Sequence, residues 1–126
     1  MAKKNIKYEM SESEERIMQY LWENPEGKLF PEICDYLSET YKRNWAKQTI
    51  NTFILRLIEK GLVEVEVKPR QSRYFAAVTE EEFAQGEARA YLDAFHGGSI
   101  FNFVSALTGG KEIDAKTAKE LKKLLK

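Results

Sequence analysis

A chain of 126 residues has room for one small domain with a short extension, or for two very small units, and its 43% hydrophobic content argues against wholesale disorder. The 20 Lys/Arg are matched by 20 Asp/Glu, which argues against a non-specific polybasic binder. The placement is uneven, however. Residues 1–40 hold five basic and nine acidic side chains, a net of −4; residues 41–78 hold eight and three, a net of +5; residues 79–126 return to −1. Binding to phosphate depends on local potential, so a neutral total can conceal one basic face.

Residues 1–10 read as a partly loose arm. Lys3, Lys4 and Lys7 suit either contact with a DNA backbone or an ordinary solvated terminus. Ser11 is placed to cap a first helix, with Glu14 completing a capping box, and Ile17, Met18, Leu21 and Trp22 form its apolar stripe. Trp22 reads as a core residue between packed helices in preference to an interface anchor. Asn24-Pro-Glu-Gly27 ends the helix. A second helix is expected from about Pro31 to Tyr41, with Ile33, Leu37 and Tyr41 on one face. Cys34 stands alone in it, which excludes an internal disulfide and a thiolate metal cluster; a buried thiol is the expected role.

The segment Trp45–Gly61 organises the rest. Ile50, Phe53, Ile54 and Leu57 recur at helical spacing, while Lys47, Gln48, Asn51 and Thr52, then Arg56 and Lys60, occupy the other side. Gly61 stops the helix, with Lys60 near the negative end of its dipole. Trp45 is expected to pack against the neighbouring helix and not to stack on a base. Leu62–Lys68 then alternates strictly, Val63, Val65 and Val67 on one side, and Arg73–Val78 is its expected antiparallel partner. Pro69, Arg70, Gln71, Ser72 and Arg73 make a polar, basic tip. Two strands alone are marginal, so the hairpin must lean on the helices. A basic helix followed by a short hairpin suggests a winged helix-turn-helix; the alternative is a solvated helix in some other small α+β domain.

Thr79-Glu-Glu-Glu82 is another capping box, opening a helix that runs to about Phe95. His96-Gly-Gly98 breaks it. A short apolar helix over Ile100–Leu107 closes at Gly109-Gly110, and Asp114 caps a last helix whose stripe is Ala118, Leu121, Leu124 and Leu125. These helices carry more apolar surface than they can cover alone, and a two-fold partner would cover it. A homodimer is therefore expected, held by Phe101, Phe103, Val104, Leu107, Leu121 and Leu124. The fold class is mainly α with a small antiparallel β wing: a winged helix-turn-helix over 1–78 and a helical dimerisation region over 79–126.

Catalytic and ligand chemistry is hard to place. The glycine pairs lack the strand-turn-helix setting and the Lys-Ser/Thr of a phosphate loop. His96 has no second imidazole or cysteine beside it, and Glu80–Glu82 reads as a favourable first turn, not a carboxylate pair across a cleft. No enzyme activity, cofactor or metal is expected. No apolar run approaches membrane-spanning length and no signal-peptide core follows Met1-Ala-Lys-Lys, so a cytoplasmic protein without membrane insertion is expected.

Ser13-Glu-Glu-Arg-Ile-Met-Gln-Tyr-Leu-Trp22, Trp45-Ala-Lys-Gln-Thr-Ile50, Leu57-Ile-Glu-Lys-Gly-Leu62 and Tyr74-Phe75 together resemble the penicillinase-repressor and methicillin-resistance-repressor family of bacterial transcriptional regulators, over nearly the whole chain. The resemblance implies a dimer that binds a palindromic operator through an N-terminal winged helix and represses genes of the beta-lactam-resistance type. It places Lys47, Gln48, Thr49, Asn51 and Thr52 toward the groove or flanking phosphates; Arg70 and Arg73 belong to the wing. The family often carries Arg where this chain has Asn51, so identity with the familiar operator does not follow. In the beta-lactam branch a signalling protease system inactivates the repressor by cutting an Asn-Phe peptide, and Asn102-Phe103 stands at that place. The copper branch carries paired cysteines near the C-terminus; this chain has none there, which weakens a copper-responsive reading. The rival reading of another class is a protein-interaction or assembly module without DNA binding.

Overall fold

The Ser11 Oγ accepts from the Glu14 N–H at 3.2 Å, and the Glu14 carboxylate accepts in return from the Ser11 N–H at 3.4 Å. This reciprocal cap starts α1 (Glu12–Glu23) at the residue the sequence indicates. The computed structural model describes residues 10–125, so Lys3, Lys4 and Lys7 of the N-terminal arm lie outside the described residues. After α1 come β1 (Lys28–Leu29), α2 (Phe30–Tyr41), α3 (Lys47–Glu59), β2 (Val63–Glu66), β3 (Arg73–Ala76), α4 (Glu80–His96), α5 (Ile100–Thr108) and α6 (Ala115–Lys122).

The apolar stripes of α1, α2 and α3 meet in one core. Ile17, Met18 and Leu21 face Ile33 and Leu37, and Ile50, Ile54 and Leu57 complete it with Leu62 and Val63. Each is buried essentially completely, worth about 1.5–3 kcal/mol apiece against an exposed side chain. Trp22 is packed, as expected: its indole N–H donates to the Val78 carbonyl at 2.9 Å and its ring lies 5.4 Å from that of Phe83.

The sheet has three antiparallel strands in the order β1-β3-β2, where the sequence indicates two. Leu29 lies opposite Arg73, and Val63 lies opposite Ala76. A two-residue strand shows no alternation, which is why β1 is invisible to pattern reading. The expected burial of Val63, Val65 and Val67 on one side also needs correction. Val63 is buried, but every residue from Glu64 to Gln71 is exposed, and Val67 keeps 77% of its surface. Alternation assigns faces; it does not show whether anything covers them.

Thr79 and Glu82 cap α4 reciprocally at 3.0 and 3.1 Å. The chain divides into two compact units between Glu87 and Ala88, inside α4 and beyond the boundary at Val78 drawn from sequence. In the second unit Leu92 is the single buried residue among those described. Tyr91, Phe95, His96 and Phe103 form a ring cluster, with His96 and Phe103 edge to face at 5.1 Å. Ser99 caps α5 by accepting from the Asn102 N–H at 3.0 Å, and Asp114 caps α6 by accepting from the Thr117 N–H at 2.7 Å. Gly109 ends α5 at φ 66°, a left-handed conformation open to glycine. Leu124 and Leu125 lie beyond α6. Among the described residues no helix is long and apolar enough to cross a membrane.

Candidate nucleic-acid interface

The site is built on α3, which buries Ile50, Ile54 and Leu57 and turns its other side to solvent. Lys47, Gln48, Thr49, Asn51 and Thr52 are all exposed on its first two turns. The helix starts at Ala46, whose side chain makes no cap, and its first turn carries no acid. Uncovered N–H groups and the positive end of the dipole thus sit beside Lys47, an arrangement suited to a phosphate. The Thr52 hydroxyl donates back to the Gln48 carbonyl at 3.0 Å, which leaves its oxygen free to accept and its methyl in a fixed place.

The approach to α3 is held by aromatic contact. Lys42, at φ 54°, closes α2 in a left-handed turn with its N–H on the Ser38 carbonyl. The Trp45 ring meets Tyr41 edge-on at 5.3 Å and Phe53 at 5.8 Å, so it packs against both neighbouring helices as expected. The Arg43 guanidinium lies 4.4 Å from the Trp45 ring centre, a cation–π contact the sequence reading did not anticipate. The Tyr41 hydroxyl and Trp45 indole N–H are buried without a hydrogen-bond partner, so ring packing fixes this bridge.

The wing supplies the other basic residues, and they differ in kind. Arg70 is exposed at the tip. Arg73 is half-buried in β3 and donates to the Gly27 carbonyl at 3.1 Å, which ties the wing to the turn after α1. Lys68 pairs with Glu66 at 3.4 Å on the exposed strand end, an interaction worth about 0–1 kcal/mol. Cys34, expected as a buried and not a reactive thiol, is half-buried; burial raises its pKa against the lowering effect of Lys47, which keeps the thiol unreactive. Among the described residues no group of three or more His, Cys, Asp or Glu is placed to hold a metal ion.

Three packed helices, an exposed polar face on the third and a following antiparallel wing define a winged helix-turn-helix of the DNA-binding class. The penicillinase repressor family matches residues 10–126, and the chain belongs to that family of DNA-binding transcriptional repressors, which are not enzymes. It is 24% identical over 117 residues to the penicillinase repressor of Bacillus licheniformis, covering 93% of this chain and 89% of the relative. It is 22% identical over 122 residues to the methicillin resistance regulatory protein MecI of Mammaliicoccus sciuri, covering 96% of each. The solution structure of the DNA binding domain of the repressor BlaI superposes with a TM-score of 0.51 at 28% identity, over 59% of this chain and 87% of that one.

Proposed function

We propose that the chain acts as a homodimer on a palindromic operator controlling genes of the beta-lactam-resistance type, and that proteolysis between Asn102 and Phe103 releases it. The observation that carries the reading is the polar, acid-free start of α3 together with a basic wing in the same compact unit. Lys47 and Arg70 are the phosphate contacts, with Arg73 reaching backbone from β3. Gln48, Thr49, Asn51 and Thr52 face base edges, where Gln or Asn can pair bidentately with adenine.

The dimer contact rests on surface that one copy leaves bare. Phe101 and Leu107 are 78% and 74% exposed, Leu124 is 81% exposed, and Phe103 and Leu121 are partly so, with Val104 beside them. One reader covers half an operator, so joining two raises the effective concentration for the second contact. Residues 1–78 form the reader and 79–126 the coupling region in this view. Removal of the residues after Asn102 takes most of α5 and all of α6, hence most of the apolar contact. The protein would work in the cytoplasm, where its DNA lies.

Operator titration with sedimentation tests the reading. Leu121→Asp places an unpaired charge in the contact and should favour monomer. Its affinity for a palindrome should drop while affinity for a half-site is kept. A variant that stays dimeric, or a monomer with undiminished affinity, overturns the coupling.

A further inference from the structure

Within the winged body Leu55 is an anomaly. It keeps 51% of its surface on α3, and it is the only large apolar residue so exposed on a described helix of that unit. Helical spacing explains where it stands. Successive residues turn by about 100°, so Gln48, Thr52, Leu55 and Glu59 share the side opposite Ile50, Ile54 and Leu57. Leu55 therefore lies within the outward stripe, one turn beyond Asn51 and Thr52, and plays no part in the core. A bare leucine gains nothing from water, and a polar residue would serve the free protein at least as well.

We propose that Leu55 is a specificity-determining residue that contacts the 5-methyl group of a thymine in the major groove. The inference rests on the proposed reading of α3 as the element that enters DNA, and it assigns that helix an apolar contact in addition to its polar ones. Thymine alone among the four bases presents an apolar group on the major-groove edge. Leu55 lies about 4.5 Å along the helix axis from Thr52. That is close to the 3.4 Å separation of bases along one strand. The leucine thus meets a different base from the one Thr52 meets. Its flexible Cγ branch can cover a methyl without any hydrogen-bond geometry, and an unmethylated pyrimidine would leave it against bare ring edge. Glu59, one turn further on, ends the stripe with a carboxylate that phosphates repel, so Leu55 is the last position suited to base contact.

The experiment uses the full chain. A preferred duplex is first selected from random DNA, then each thymine in it is replaced singly by deoxyuridine, which lacks only the methyl. Affinities are measured for the wild type, Leu55→Ala and Leu55→Gln, with thermal midpoints as the folding control. At one thymine per half-site the wild type should lose about fourfold on methyl removal, the worth of one buried methyl-sized group. Both variants should lose less than about 1.5-fold there while keeping the wild-type response at every other thymine. Equal penalties in wild type and variants at every thymine, or no penalty anywhere, would overturn the assignment. So would a change of oligomeric state without DNA in the variants, which would make Leu55 a contact between copies. Failure to select any preferred sequence would instead sink the repressor reading on which the inference rests.

Discussion

Lys60 Nζ lies 2.7 Å from Glu14 Oε2, an ion pair that ties the end of α3 to the capped start of α1. The sequence places Lys60 at the negative end of its own helix dipole, but the side chain reaches across to a carboxylate only 4% exposed. The pair thus joins the C-terminal end of α3 to the helix packed behind it.

Acid sensitivity follows from this pair. Burial pushes the Glu14 carboxyl up, but hydrogen bonds from Lys60 and Ser11 and the Lys60 charge outweigh it and hold the group below its ordinary value of 4.5. A carboxylate with a folded pKa below its unfolded one contributes stability that is complete above the unfolded value. That contribution disappears as pH falls through the folded value. Lys60→Met should cost about 2 kcal/mol at pH 7, because it strands a buried charge, and should flatten the acid side of the stability curve. Adding Glu14→Gln should restore part of the loss. Urea unfolding across the carboxylate range checks this; an acid limb identical in wild type and Lys60→Met would assign it elsewhere.

Gly27 should tolerate no side chain. Its φ is 87°, and a Cβ there would stand 2.6 Å from Phe75 Cε1 and 2.8 Å from Arg73 Cγ. Gly27→Ala combines left-handed strain with a clash against the wing strand, a cost of about 2–3 kcal/mol. Chemical denaturation should show it, with operator binding weakened in parallel because β3 shifts.

The basic residues of α3 and the wing should separate by mechanism. Lys47→Ala and Arg70→Ala are expected to leave the melting temperature unchanged and to lower the slope of log affinity against log salt by about one unit each. Arg73→Ala should also lower stability by about 1 kcal/mol, since it loses the bond to the Gly27 carbonyl. Unchanged salt slopes in the first two variants would remove them from the phosphate contacts.

Cleavage at Asn102-Phe103 should depend on opening α5. The bond lies in the first turn of that helix, whose cap is the Ser99 hydroxyl on the Asn102 N–H. A helical peptide does not fit an extended protease cleft, so cutting tracks the opened fraction. Ser99→Ala removes about 1 kcal/mol of capping, roughly a fivefold gain in opening. Limited chymotrypsin digestion, followed by mass spectrometry at the bonds after Phe101 and Phe103, should accelerate at those two bonds by that factor; an unchanged rate there would place the limiting step outside the cap.

Much of this architecture is legible in the chain because its signals are local. Ser11 with Glu14, Thr79 with Glu82, and Gly61 after Lys60 act over three or four residues, and each marks an element end correctly. The stripe Ile50, Ile54, Leu57 likewise fixes the buried side of α3. What escaped needs a partner distant in sequence. Lys28–Leu29 becomes a strand only because β3 pairs with it, Arg73 is held by a carbonyl from residue 27, and Lys60 finds residue 14. Leu55 escaped for another reason: the helical spacing puts it opposite Ile50, Ile54 and Leu57, but only its 51% exposure shows that nothing in the fold covers it.

Trp22 and Trp45, the only tryptophans in the chain, occupy settings that make them two separate optical reporters. Trp22 is locked to Val78 in the packed body, so its emission should follow unfolding and ignore ligand. Trp45 precedes Lys47 by two residues and carries Arg43 over its ring. A phosphate arriving at the start of α3 would compete for that guanidinium and alter the indole's emission. Fluorescence of the unlabelled protein can thus time DNA arrival, with Trp45→Phe silencing that signal and Trp22→Phe preserving it.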